Sequence, residues 1–250
     1  MKIEGNTVLI TGGATGIGFA LAKAFVENGN EVIICGRRKD KLKEAKNNLP
    51  KLNTIECDIS KEYSREMLYK EITSNFNDTN ILINNAGIHK IIDFKKGMVD
   101  LFTSSEDEID INLKAPIYLA SYFIPNFMNK NESAIINVSS GLAFVPLASM
   151  PIYCATKAAL HSWSVSLRYQ LKDTSIKIFE VMPPIVDTDF HKEDRDKIKN
   201  RSLPPTAVAE ETLKALEKDE YEIPIGVAKS LRFVNTDNFE QIFQERNKQQ

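Results

Sequence analysis

The sequence is short of cysteine, of net charge and of any long unbroken apolar run, and each shortage removes a class of answer. Cys35, Cys57 and Cys154 form an odd, scattered set with no CxxC pair, so neither a disulfide framework nor a zinc site is expected. They read instead as small buried hydrophobes. With 34 acidic and 32 basic residues the net charge is -2, which gives no electrostatic drive toward nucleic acid or an anionic membrane. The longest mostly apolar stretch, "AIINVSSGLAFVPLASMPIY", is interrupted by serines, Gly141 and two prolines and does not suit a membrane span. The opening "MKIEGNTVLITGG" lacks a charged region followed by a signal-type apolar segment, so a cytoplasmic address is expected.

What the chain does have is alternation. Short β-branched runs, "TVLIT", "EVIICG", "NTIECD", "NILINNAG", "SAIINVSS", "IKIFEVMPP" and "YEIPIG", are separated by helix-length segments such as "GFALAKAFVENG" and "KDKLKEAKNNL", whose apolar residues recur at helical spacing. Strands that are apolar almost throughout imply burial on both faces, which a parallel sheet covered by helices supplies. With no internal repeat, low-complexity tract or linker, the 250 residues are expected to form one doubly wound α/β domain.

The first strand runs into "TGGATGIG", Thr11 to Gly18. Glycines there permit a tight turn and let the backbone approach a pyrophosphate, whose charge a helix N-terminus can accept. Gly12, Gly16 and Gly18 are spaced G-x-x-x-G-x-G rather than G-x-G-x-x-G. Further on come "CDIS", "NNAG" at Asn84 to Gly87, "INL" around Asn112, "NVSSG" around Ser140 and "YCATK".

Motif by motif and in this order, the chain resembles the short-chain dehydrogenases/reductases over nearly its whole length. Within that family "EVIICGRR", "NNAGIHKIIDFKKG" and "PPIVDTDF" are most similar to the DltE-like oxidoreductases, a bacterial subgroup. The resemblance implies a Rossmann-like fold with a central, mostly parallel seven-stranded sheet, and hydride transfer between a dinucleotide and a small carbonyl or alcohol. It also implies a dinucleotide site containing Gly12, Thr15, Gly16, Ile17, Gly18, Asp58, Ile59, Asn85, Ala86, Gly87, Pro183, Val186 and Thr188, together with Tyr153 and Lys157.

Chemistry gives the catalytic candidates their roles. Reducing a carbonyl by hydride requires a proton on oxygen, and a free tyrosine, pKa about 10, is a poor base near neutrality. An ammonium beside it favours the phenolate, and Tyr153 and Lys157, at i and i+4, share a helix face. An isolated YxxxK is more often a surface lysine beside a core tyrosine; the ordered motifs upstream reverse that preference. The Ser140 hydroxyl can bond the substrate oxygen as charge develops on it, with Ser139 as the neighbouring candidate and family spacing favouring Ser140. Asn112 is a poor helix former in a helical context; by resemblance it opens the helix slightly and holds a water that relays protons to Lys157.

At the end of the second strand, where NAD-preferring relatives place an acid, stand Gly36, Arg37 and Arg38. A missing carboxylate and a guanidinium fork suit a 2′-phosphate, so NADP(H) is expected over NAD(H). Pro183-Pro184 stands where the family has Pro-Gly. Asp187 and Asp189 read as cap and lid residues, His191 as part of the lid, and His89 and His161 have no catalytic partner legible in sequence. The segment from Ile88 to Asp100 and a lid over residues 188–203 are expected to shape the substrate pocket, and residues 237–250 an amphipathic tail helix. That tail differs from the glycine-rich ending common in fatty-acid-synthesis relatives, which weighs against 3-oxoacyl-carrier-protein reduction. A dinucleotide-binding redox sensor without turnover is the other alternative, disfavoured because it has no need of all four of Asn112, Ser140, Tyr153 and Lys157. Apolar residues around much of "IYCATKAALHSWSVSLRYQL" point to a homodimer or homotetramer.

Overall fold

The fold is a seven-stranded sheet clad by helices on both faces, seen in a computed structural model that describes residues 1–97, 107–190 and 200–248. The strands are β1 (Thr7–Thr11), β2 (Glu31–Gly36), β3 (Asn53–Glu56), β4 (Thr79–Asn84), β5 (Ser133–Val138), β6 (Ile176–Met182) and β7 (Glu222–Pro224). They run in the order β3-β2-β1-β4-β5-β6-β7, and every strand pairing is parallel. The helices are α1 (Gly16–Glu27), α2 (Lys39–Asn48), α3 (Glu62–Asn75), α4 (Ala115–Phe127), α5 (Pro151–Gln170), α6 (Pro205–Glu217), α7 (Ala228–Arg232) and α8 (Phe239–Lys248).

Strand alternation explains why the core has two layers. Val8, Ile10, Val32 and Ile34 face one side and pack with Leu21, Phe25, Val208 and Leu216 of α1 and α6. Leu9, Ile33, Leu82 and Ile135 face the other and pack with Leu68, Leu119, Phe123 and Leu167 of α3, α4 and α5. Most of these side chains are fully buried, each contributing about 1.5–3 kcal/mol relative to exposure. The three cysteines are free and buried, in keeping with their sequence reading.

The functional consequence of this order lies at its reversal. From β1 the chain first moves outward to β2 and β3, then returns to β4 on the opposite side of β1. Loops leaving the carboxyl ends of β1 and β4 therefore diverge and open a crevice at the switch point.

Candidate active site

The glycine turn is shaped by contacts that leave no room for side chains. Gly12 and Gly16 have φ of +65° and +57°, a region glycine enters without penalty. A Cβ on Gly18 would stand 2.4 Å from the Gly12 carbonyl oxygen. The turn is also stitched to the β4 loop. Asn85 Nδ2 donates to the carbonyls of Thr11 (2.9 Å) and Gly12 (3.2 Å), while Thr11 Oγ1 accepts from the amides of Asn85 (3.0 Å) and Ala86 (3.1 Å). Thr15, extended before α1, makes no side-chain cap, and the first turn carries no acid. The opening amides of α1, at Gly16, Ile17 and Gly18, are thus those that a helix leaves without internal partners. They face a cleft of about 530 Å³, and the set fits an anionic ligand of dinucleotide type.

Around that cleft stand Arg37, Arg38, Asp58, Ile59, Ala86, Gly87, Ser140, Tyr153, Lys157, Pro183, Val186 and Thr188. Arg38 Nη2 donates to Thr15 Oγ1 at 3.1 Å, and a Cβ at Gly36 would meet nothing within 4 Å, so the end of β2 has open space beside its guanidinium groups. Asp58 Oδ1 is engaged locally, accepting from the amide (3.0 Å) and hydroxyl (2.8 Å) of Ser60. Thr188 is placed over the glycine turn, its methyl 3.0 Å from where a Gly16 Cβ would lie.

Asn112 sits in a π-helical turn, Asp110–Lys114, that runs directly into α4, the kind of local widening that lets a side chain leave the helix. Its Oδ1 accepts from the Ile88 amide (2.9 Å), and its Nδ2 donates to the Ile88 carbonyl (2.8 Å) and to Thr156 Oγ1 (3.2 Å). Asn112 therefore clamps the β4 loop to α5. A Cβ on Gly87, between them, would lie 3.3 Å from Asn112 Oδ1 and 3.6 Å from Lys157 Nζ.

The two adjacent serines are separated by their partners. Ser139 Oγ, fully inside, donates to Glu180 Oε1 at 2.5 Å. Ser140 Oγ accepts from the Leu142 amide at 3.1 Å, capping a short turn, and lies beside the Tyr153 phenol. Burial pushes that phenol above its ordinary pKa, and the Ser140 side chain pulls it the other way. Lys157 Nζ donates to the Val138 carbonyl at 2.8 Å and lies 5.6 Å from the Tyr153 ring centroid. Burial holds Lys157 down at about 8, opposed by the charge of Glu180. The i, i+4 spacing thus puts both groups on one face, but in this state burial outweighs the lysine's influence on the tyrosine, because the ammonium is turned to a backbone oxygen.

Two aromatic rings, His89 and Phe190, lie beside Tyr153 at the cleft. His89 and Phe190 centroids are 4.5 Å apart, and Tyr153 is 6.0 Å from His89 and 5.9 Å from Phe190. Sequence reading left His89 without a role and did not single out Phe190; only their proximity to Tyr153 marks them. Of the lid, residues 191–199, His191 included, lie outside the described residues. Its base is pinned by the Val186–Leu203 bridge and by Asp187 N donating to Leu203 O at 2.9 Å. Pro184 is accommodated by Gly226, whose Cβ would come within 3.3 Å of the proline ring.

A model of the short chain dehydrogenase family matches residues 6–199. The chain belongs to that family. An uncharacterized oxidoreductase DltE of Bacillus subtilis is 46% identical, with 100% of each chain covered. The uncharacterized oxidoreductase SAR2567 of Staphylococcus aureus is 32% identical over 85% of this chain and 91% of its own. Among solved structures, a 3-ketoacyl-(acyl-carrier-protein) reductase from Brucella melitensis complexed with NADH is 27% identical with a TM-score of 0.75, covering 86% of this chain and 91% of that one. A short-chain dehydrogenase/reductase from Burkholderia phymatum in complex with NAD, 19% identical, superposes with a TM-score of 0.82 over 97% and 96% of the two chains, a likeness of fold. Among the described residues no helix is long and apolar enough to cross a membrane and no metal-holding cluster of His, Cys, Asp and Glu occurs.

Proposed function

We propose that the chain is an NADP(H)-dependent oxidoreductase that interconverts a carbonyl and a secondary alcohol, with Tyr153 as the acid/base. The observation that carries this reading is that Tyr153, Ser140 and Lys157 line the same cleft as the glycine turn and the first residues of α1. A nicotinamide dinucleotide held in the cleft would supply or accept hydride. In the reductive direction the Tyr153 hydroxyl gives its proton to the carbonyl oxygen, and Ser140 donates a hydrogen bond to that oxygen as negative charge builds on it. The Lys157 ammonium favours the phenolate left behind. Asn112 keeps the Ile88 backbone and α5 at fixed separation, so the lysine and the tyrosine stay in register. Gly12, Thr15, Gly16, Ile17 and Gly18 would hold the pyrophosphate; Asp58 and Ile59 would serve the adenine; Asn85, Ala86 and Gly87 its ribose; Pro183, Val186 and Thr188 the nicotinamide. Arg37 and Arg38 would take a 2′-phosphate.

The test is turnover of a panel of aldehydes and ketones with NADPH, followed by its absorbance. Tyr153→Phe should lower kcat at least about a hundredfold while leaving NADPH affinity nearly unchanged; ordinary turnover by that variant removes Tyr153 from the mechanism.

A further inference from the structure

We propose that the buried carboxylate of Glu180 is a positioning residue for this site, fixing the end of β5 that carries Ser140 and placing a negative charge against the face of α5 that carries Lys157. The proposal rests on the functional reading above for its consequence in turnover, but not for its physical content.

Glu180 is in the middle of β6 and wholly buried, a costly place for a carboxylate unless every oxygen has a partner. Both have one. Oε1 accepts from Ser139 Oγ at 2.5 Å, and Oε2 meets Nδ1 of His161 at 2.7 Å. The Ser139 bond crosses from β6 to the residue that precedes Ser140, and the Ser139 amide donates to Val181 O at 2.8 Å. The strand end is thereby held by its main chain and its side chain together. On the helix side, Tyr153, Lys157 and His161 follow one another at four-residue steps along one face of α5, so the carboxylate engages the residue one helical turn beyond Lys157. Its charge acts against the burial that lowers the Lys157 pKa.

The remaining surroundings of Glu180 leave that charge directed at α5. Asn137, its register neighbour on β5, donates to Ser164 Oγ at 2.9 Å. Glu222, its register neighbour on β7, is an anion already matched by Arg232 Nε at 2.8 Å and Arg168 Nη1 at 3.6 Å. His161 is 20% exposed and closes the pair from solvent, its ring edge-on to Phe144 at 4.8 Å. The imidazole therefore acts as a dry plug as well as a donor: with it in place, water does not screen the carboxylate from the lysine.

The experiment reads the Lys157 Nζ titration directly, by NMR of 13C-lysine-labelled protein with the resonance assigned through Lys157→Met. Glu180→Gln keeps the shape and removes the charge; the Lys157 midpoint should fall by about one pH unit, a tenfold larger neutral fraction at a given pH. His161→Gln, which retains a donor, should leave it unchanged. The same midpoint in wild type and Glu180→Gln overturns the proposal. Should Glu180→Gln not fold, Glu180→Asp, which keeps the charge but withdraws it by one methylene, is read instead; its midpoint should fall by less, and a midpoint equal to wild type overturns the proposal. In turnover, the high-pH limb of kcat should move down with the midpoint in Glu180→Gln. A wild-type protein that reduces no carbonyl would end the functional reading, while the lysine titration would still decide the role of Glu180.

Discussion

Exchanging the charge at the end of β2 should reverse the choice of cofactor. Arg37 and Arg38 border the cleft, and the space beside Gly36 is open, with no atom within 4 Å of an added Cβ. A substitution there changes charge without displacing a neighbour. One charge-assisted hydrogen bond to a 2′-phosphate contributes about 1.5–3 kcal/mol. Arg38 already holds Thr15 Oγ1 in an exposed contact at 3.1 Å, so the lower part of that range applies to it. At about 1.4 kcal/mol per decade, wild type should favour NADP(H) over NAD(H) by roughly ten- to a thousandfold in kcat/KM. Arg37→Ala alone understates the effect where Arg38 shares the phosphate, so the double change Arg37→Ala with Arg38→Ala should bring the ratio to near one, mainly through the KM for NADPH. Gly36→Asp places an anion in the open space, which repels the phosphate and accepts ribose hydroxyls; the preference should pass to NAD(H). The assay is initial-rate kinetics with each cofactor at one saturating carbonyl. Equal kcat/KM for NADPH and NADH in wild type would refute the reasoning and leave "GRRKDKLK" as the solvated start of α2.

Two further outcomes follow from burial. Lys157 has its pKa lowered by burial from 10.5 to about 8, so between those values the unfolded chain binds more protons than the native one, and this group's contribution to stability rises with pH across that window. Lys157→Met, although it should abolish turnover, should therefore stabilise the fold at pH 7 by about 1–2 kcal/mol after loss of the Val138 bond, with the gain vanishing toward pH 10; urea unfolding at both pH values checks it, and a destabilised variant at pH 7 would contradict the sign. The outward faces of α4 and α5 leave Tyr118 at 44%, Val165 at 42% and Tyr169 at 71% exposure, more apolar surface than a lone subunit needs to show. Light scattering at micromolar concentration should find a homodimer or homotetramer, and a monomer would count against the assembly.

The sequence determined the frame of this protein almost residue for residue. "TVLIT" and "EVIICG" are β1 and β2 as they stand, and the first seven residues of "IKIFEVMPP" are β6, because parallel strands buried on both faces are mostly apolar. The tail helix was legible for a similar local reason, its apolar residues recurring at helical spacing. The glycine turn, the YxxxK pair and the arginines after β2 could be singled out in sequence because each lies within a few residues. Sequence named Ser139 beside Ser140, with family spacing favouring Ser140. What it did not show is β6, where Glu180 accepts from the Ser139 hydroxyl across a strand pairing 41 residues away.

Only the tertiary structure decided the rest, since long-range partners leave no periodic trace. His161 looked unassigned until α5 laid it against Glu180; His89 and Phe190 became a wall of the site only where the β4 and β6 loops converge on Tyr153. The tail helix docks through Asn247, which accepts from the Ala148 amide at 2.6 Å and donates to the Pro146 carbonyl, bracing the loop that leads into Tyr153 from a hundred residues away. Most of all, tertiary packing set the balance between Lys157 and Tyr153. Their spacing alone promised a lysine that acidifies a tyrosine, whereas burial penalises charge on both and the ammonium donates to the Val138 carbonyl. Proximity along a helix is written in the sequence; the dielectric around it is made by the whole fold.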